Sequence, residues 1–301
     1  MIIGVSIKKG AREMEAFLIF ACTCTSIAEA FLVKAYNRKH TRGGFVFVAF
    51  ISLFSMFFSL LTDTGGFLLP EGLWIYSLIA GALYSGAFFF TYLALGCGSF
   101  AISMLVLSYS LVFSVAYGIF FLGENASAFV WVGLVLVMIS LFLMREKWDG
   151  TQQHIHPKWL ICIGLAFLGN GLFGVVTRMQ QIAYRDAATN EFMVLALGFS
   201  FAALLLLGLL KSPSDFPYAV RHGLPYAMGA GACNGMTNLV ALLLVSGLFG
   251  MPVSVTSAIR AGAKTVLSFL FSVFLLRERF EKRQVVGVLF GVAAIVFLNM
   301  Q

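Results

Sequence analysis

Charge is what this sequence has least of. Only 11% of its 301 residues are Asp, Glu, Lys or Arg, whereas a soluble domain carries about 25%. Hydrophobic residues make up 60%, and the mean hydropathy is +0.94. A soluble fold has nowhere to hide so much apolar surface, so an integral membrane protein is expected. Cysteine is scarce too. Cys22, Cys24, Cys97, Cys162 and Cys233 lie in or beside apolar runs, and none forms a C-x-x-C pair. That leaves out a disulfide framework and a thiolate metal site, and the five read as small buried residues. His154 and His156 sit in a polar loop without a third ligand, and two imidazoles alone do not make a zinc site. Carboxylate pairs suited to acid–base work are missing as well. The nearest approach is Asp186 and Glu191, in a turn with Arg185. No enzyme activity, catalytic residue, metal or cofactor is therefore expected.

What charge there is sums to a formal +7. In a soluble chain that surplus would suggest nucleic acid. Here the cations lie in short loops between apolar runs, so the lipid bilayer is the expected partner and nucleic acid is not.

Ten runs have the length needed to cross a bilayer as helices, roughly 20 residues. They cover 14–36, 43–62, 71–96, 99–122, 126–145, 158–184, 189–210, 218–247, 251–276 and 281–300. The fold class expected is an all-α integral membrane protein with ten transmembrane helices, multi-pass in the cell (inner) membrane. The longest loop, around Glu146–Pro157, is the natural seam. It divides the chain into an N-terminal segment 1–13, a first five-helix repeat 14–147, a connecting loop 148–157 and a second five-helix repeat 158–301. Lys8, Lys9 and Arg12 ahead of an apolar stretch ending Ala28-Glu29-Ala30 have the shape of a secretory signal. The apolar character continues through Phe31-Leu-Val33, and removal would leave an odd number of spans, so retention is expected. Thirteen lysines and arginines fall at one set of run ends and five at the other. The positive-inside rule then puts loops 1–2, 5–6, 7–8 and 9–10 in the cytoplasm.

The halves repeat. A shift of 154 residues lays Ser103–Leu143 on Ser257–Phe297, with identities that include Ser103/Ser257, Val112/Val266, Ser114/Ser268, Leu122/Leu276, Glu124/Glu278 and Gly133/Gly287. Five spans per copy is an odd number, so the second copy enters from the opposite side. That predicts two inverted repeats, with a binding site between them near mid-depth.

The ninth run carries the feature hardest to explain as packing. Arg260 and Lys264 sit one turn apart on one face, near mid-depth. Each costs about 2.5–3.5 kcal/mol there on insertion scales, so the pair must face protein or water and meet something negative. Their counterparts under the shift are Val106 and Ser110. An asymmetric pair suits a ligand-binding wall, with a buried ion pair to a carboxylate as the structural alternative. Asn234 and Asn238 form a polar i, i+4 pair among glycines in the eighth run, and Asn170 sits between Gly169 and Gly171 in the sixth. These serve either helix packing or a hydrogen-bonding floor for substrate. Tyr84 and Tyr109 are candidates for the opposite wall. Glu29, in the first run, is either a counter-ion to Arg260 or Lys264 or a carboxylate that titrates during transport.

Phe121-Leu-Gly-Glu124 followed by Trp131-Val-Gly133, and Leu275-Leu-Arg-Glu278 followed by Val285-Val-Gly287, each read as a helix ending in x-Glu, a short loop and a glycine-bearing last helix. In these elements, in its span count and in its seam, the chain resembles the ten-helix EamA-type branch of the drug/metabolite transporter superfamily. The resemblance implies a basket-like fold whose cavity is lined by helices 1, 3, 4, 6, 8 and 9. It also implies transport of small metabolites. Small multidrug relatives exchange protons for cations at a helix-1 glutamate. With Lys34 as the helix-end lysine the matching position is Ser26, and Glu29 lies one turn away. The expectation is a secondary active transporter, exporter or importer, of a small organic metabolite bearing an anionic group, working by alternating access. One chain suffices, and protons are the candidate coupling ion. Proton-coupled efflux of cationic compounds through Glu29 is the alternative, and a membrane-embedded enzyme or a channel follows after it.

Overall fold

Backbone in a bilayer must satisfy its hydrogen bonds internally, and the apolar runs do so as helices. The computed structural model describes residues 2–40, 42–61, 67, 69–123, 127–144, 157–184, 188–245, 253–278 and 280–298. Among them there is no strand. The helices are α1 (Ile2–Lys39), α2 (Gly44–Leu61), α3 (Leu73–Cys97), α4 (Phe100–Ser108), α5 (Leu111–Phe121), α6 (Ala128–Met144), α7 (Pro157–Tyr184), α8 (Thr189–Lys211), α9 (Asp215–Val245), α10 (Val253–Phe274) and α11 (Lys282–Leu298). Among the described residues, six stretches are long and apolar enough to cross a membrane by length and composition: Phe17–Lys39, Gly44–Leu61, Leu73–Cys97, Phe100–Phe121, Pro157–Tyr184 and Thr189–Lys211. The chain is an all-helical, multi-pass membrane protein.

The run 99–122, expected as one helix, is two. At Tyr109–Ser110 the ladder tightens to i→i−3 bonds: Ser110 N–H to Leu107 O (3.2 Å), Val112 N–H to Tyr109 O (2.9 Å) and Phe113 N–H to Ser110 O (3.1 Å). Neither Pro nor Gly causes this. The serine hydroxyls on either side bond back to the helix, Ser108 to Met104 O at 2.9 Å and Ser110 to Leu107 O at 2.7 Å. Such bonds compete with the regular ladder.

Successive spans, with α4 and α5 counted as one, run antiparallel, which gathers alternate ends together. At one end Tyr36 of α1 stacks on Phe47 of α2 with centroids 3.8 Å apart. There too Lys211 of α8 lies 5.4 Å over Phe45, His40 meets Tyr218 of α9 at 2.9 Å, Trp159 of α7 donates to Ser103 of α4 at 2.9 Å, and Arg283 of α11 reaches Phe142 O of α6 at 2.6 Å. The most extensive helix pairings match when the two halves are exchanged. α3 packs on α7 as α9 packs on α1, and α3 on α8 as α9 on α2. The pairs α6–α11, α2–α8 and α4–α10 map onto themselves.

Close approach of the helices depends on missing side chains, as two glycines illustrate. A Cβ on Gly231 of α9 would stand 2.5 Å from Phe54 Cβ and 2.9 Å from Ile51 O of α2. A Cβ on Gly291 of α11, in the Gly287-x-x-x-Gly291 pattern, would collide with the Tyr109 hydroxyl. One buried cluster centres on Tyr36, Phe47, Tyr92 and Phe100, and a second on Leu105, Tyr109, Trp159 and Val288. Both sides of the α4–α10 crossing are thereby braced, and the polar residues lie along α1, α9 and α10.

Candidate functional site

Four helices, α1, α3, α9 and α10, present the polar residues. Glu29 projects from α1 and its Oε1 accepts a hydrogen bond from Asn234 Nδ2 of α9 at 2.9 Å. Asn238, one turn further along α9, donates to Asn234 Oδ1 at 3.2 Å. The i, i+4 spacing therefore works as a chain: Asn238 fixes the orientation of the Asn234 amide, and Asn234 presents its N–H₂ to the carboxylate. One turn away, Thr25 and Thr237 share a 2.8 Å hydroxyl contact that pins α1 to α9.

The cations come from α10. Lys264 is close enough to Glu29, to Arg260 and to Cys22 to interact electrostatically with each. Even so, Glu29 forms no direct ion pair, and neither does Lys264; the pair resolved among the described residues is Lys34–Glu278. Arg260 Nε is buried and has no hydrogen-bond partner. Tyr84 of α3 brings its hydroxyl beside Glu29 and Asn234, also buried and without a partner at bonding geometry. The arrangement sets a carboxylate with two amides and a phenol beside Lys264, with Arg260 one turn away from that lysine on α10. An unpaired buried guanidinium nitrogen is costly, and a ligand oxygen placed there would remove the cost.

Of the residues singled out in the sequence, Glu29, Asn234, Asn238, Tyr84 and Lys264 converge, and Arg260 stands one turn from Lys264 on α10. Asn170 and Tyr109 are engaged elsewhere. Asn170 of α7 donates to Ser110 Oγ at 2.8 Å, bracing the tightened turn between α4 and α5. Tyr109, 1% exposed, donates to Ser140 of α6. Ser140 in turn donates to Gly287 O of α11 at 2.6 Å. His154, His156, Asp186 and Glu124 lie outside the described residues. Among the described residues no three His, Cys, Asp or Glu side chains converge on a point where a metal could bind.

A second polar cluster was not foreseen. Glu278, just past α10, pairs with Lys34 of α1 at 2.8 Å and accepts from Ser99 at 2.7 Å. Two signals pointed to it: a lysine inside an apolar run, and a glutamate directly after one.

Comparison with known proteins agrees with this architecture. The model of the EamA-like transporter family matches residues 5–145 and again 160–300. A solved structure titled "Crystal structure of protein" superposes with a TM-score of 0.60 at 15% identity, over 93% of this chain and 98% of that one. It shows the fold alone. No curated protein matches the chain. Two copies of one family model cover both halves of a chain whose most extensive helix pairings match on exchange of those halves, and the chain therefore belongs to the EamA-like transporter family of the drug/metabolite transporter superfamily.

Proposed function

We propose that this membrane transporter moves a small organic metabolite bearing an anionic group, by alternating access between two inverted five-helix repeats. A single chain carries out the cycle in the cell (inner) membrane. The observation that carries the reading is the buried, unpartnered Arg260 Nε beside Lys264, with no carboxylate bonded to either. Two cations one turn apart repel when the site is empty, and an anion between them relieves that repulsion. Arg holds a carboxylate or phosphate by two parallel hydrogen bonds, and Lys adds a point charge. Glu29, held by Asn234, lies near Lys264 without pairing with it, so the ligand occupies the gap. Asn170 and Tyr109 act behind this wall by fixing the turn in the α4–α5 span and its packing on α6.

Ligand-induced thermal shifts across a panel of carboxylates and phosphates test the reading, because binding raises apparent stability whatever the direction of transport. Arg260→Lys weakens the shift with charge conserved, and Lys264→Ala weakens it without unfolding the protein. Full binding of an anionic substrate by the Arg260→Ala, Lys264→Ala double variant would overturn it. A second reading, proton-coupled efflux of cations through Glu29, is favoured by the same carboxylate standing free of any ion pair. Under that reading Glu29→Gln abolishes the dependence of transport on a pH gradient, and Arg260 and Lys264 are dispensable.

A further inference from the structure

The unforeseen cluster joins the two helices that carry the polar site. Lys34 lies five residues beyond Glu29 on α1, about 7.5 Å along the axis, and Ser272 lies eight beyond Lys264 on α10, about 12 Å. Glu278 occupies the point where they meet. Its Oε1 takes Lys34 Nζ at 2.8 Å, and Lys34 also donates to Gly98 O at 3.2 Å. Ser99 donates to Oε2 at 2.7 Å, and the Phe100 N–H reaches both oxygens at 3.0 and 3.1 Å. The Ser272 hydroxyl donates to Oε2 as well. The carboxylate therefore sits on the N-terminus of α4, where free N–H groups and the helix dipole favour negative charge. Arg277 adopts a left-handed conformation, φ 55°, that turns the chain so that the Glu278 N–H bonds back to Ser272 O at 3.0 Å. Non-glycine residues hold such conformations at a cost, and they cluster at switch regions. Between this cluster and the polar site lie three rings. Phe271 meets Phe31 edge-on at 5.2 Å and Phe100 at 5.7 Å.

We propose that Glu278, with Lys34, Ser99 and the first turn of α4, is the gate at this end of the transporter. Closed, as here, it holds α1, α4 and α10 together and with the Phe271 plug shuts the Glu29–Lys264 site off from that side. One carboxylate holds all three segments, so they release together and the gate has two states. This rests on the transporter reading above. Burial pushes the Glu278 carboxyl up, but the hydrogen bonds from Lys34, Phe100 N–H and Ser272, together with the charge of Lys34, outweigh it and hold it below the usual carboxylate range. The gate therefore answers to occupancy of the site above it and not to pH near neutrality.

The test uses the full chain with its five cysteines removed and one reporter, Leu267→Cys, between Lys264 and the plug. Reaction with a membrane-impermeant maleimide is measured from the Lys34 side, in vesicles of each orientation. Glu278→Gln is expected to raise the labelling rate from that side about tenfold, which corresponds to about 1.4 kcal/mol lost from the closed state. Lys34→Met, which leaves the helix cap in place, raises it less, and Lys34→Arg returns it toward the parent. A merely structural cap would lower Tm and leave sidedness unchanged. Unaltered labelling in a monodisperse Glu278→Gln variant, or in Lys34→Met should the first not fold, overturns the gate. Flux of an anionic substrate into liposomes by the parent protein is scored separately. Loss of the gate with flux intact leaves the transporter reading standing, and absence of flux with sided labelling intact counts against that reading alone.

Discussion

Removing the two partners of the Lys34–Glu278 pair one at a time separates a shared helix cap from a simple ion pair. Glu278→Ala deletes the acceptor for Lys34, Ser99, Ser272 and the Phe100 N–H together. Lys34, 8% exposed, is left with Gly98 O as its acceptor. Stranding a buried charge in this way costs about 3–5 kcal/mol. Lys34→Met takes away the ammonium but leaves the carboxylate with its donors on Ser99, Ser272 and Phe100, so the cost falls to about 1–3 kcal/mol. The order of the two effects is set by geometry: one group has a single alternative partner and the other has three. The double variant costs less than the sum, by a coupling of about 0.5–3 kcal/mol. Unfolding by detergent titration in mixed micelles, read by tryptophan fluorescence and tracked across the cycle, measures all three. Equal costs for the two single variants, or strict additivity, would refute the reasoning.

The other expectations are shorter. Gly231→Ala drives a methyl against Phe54 and the Ile51 carbonyl, and lowers stability by about 1–3 kcal/mol as α2 and α9 are forced apart; thermal unfolding of the variant checks it. Glu29→Gln keeps a hydrogen-bond acceptor for Asn234 and removes the charge facing Lys264. Transport that loses its pH-gradient dependence marks a coupling carboxylate, whereas lowered Tm alone marks a counter-ion. Because the Glu278 carboxyl titrates below its ordinary range, the stability it contributes is fully present above that range and is lost as pH falls through the lowered value. Melting of the parent relative to Glu278→Gln is therefore flat across neutral pH, and the difference closes only in acid. A cytoplasm-only reporter fused after Gln301 stays silent if the end rich in lysine and arginine faces the cytoplasm.

The helices were legible because lipid leaves the backbone so few choices. Where a run such as 189–210 is apolar and long enough, a spanning helix follows, and α8 covers Thr189–Lys211. The tightened turn at Tyr109–Ser110 was not legible, because it comes from serine back-bonding and from Asn170 reaching over from α7, and no local breaker marks it. The convergence of Glu29 with Lys264 was open to sequence reasoning, since an unmatched carboxylate and unmatched cations in apolar runs must find something. That Asn234 would be the partner bonded to Glu29, leaving the cations free, depends on the rotation of α9 against α1. No periodicity records that rotation. The Glu278 cluster draws on three segments far apart in the chain, and its geometry depends on a left-handed Arg277, a conformation that composition does not announce.

The unequal charge of the central site also bears on how the carrier would respond to membrane voltage. Counted at formal charges, Glu29, Arg260 and Lys264 leave the empty site one unit positive. A monoanion seated among them brings it to neutrality. Moving one elementary charge through a full membrane potential is worth about 2.3 kcal/mol per 100 mV. When the gates exchange around a charged site, some fraction of that work falls on the step. In a carrier built this way the empty return would feel the field and the loaded crossing would not. Imposed potential would then tune turnover by way of the unloaded protein, and a dianionic cargo, leaving the loaded site one unit negative, would make both halves of the cycle electrogenic.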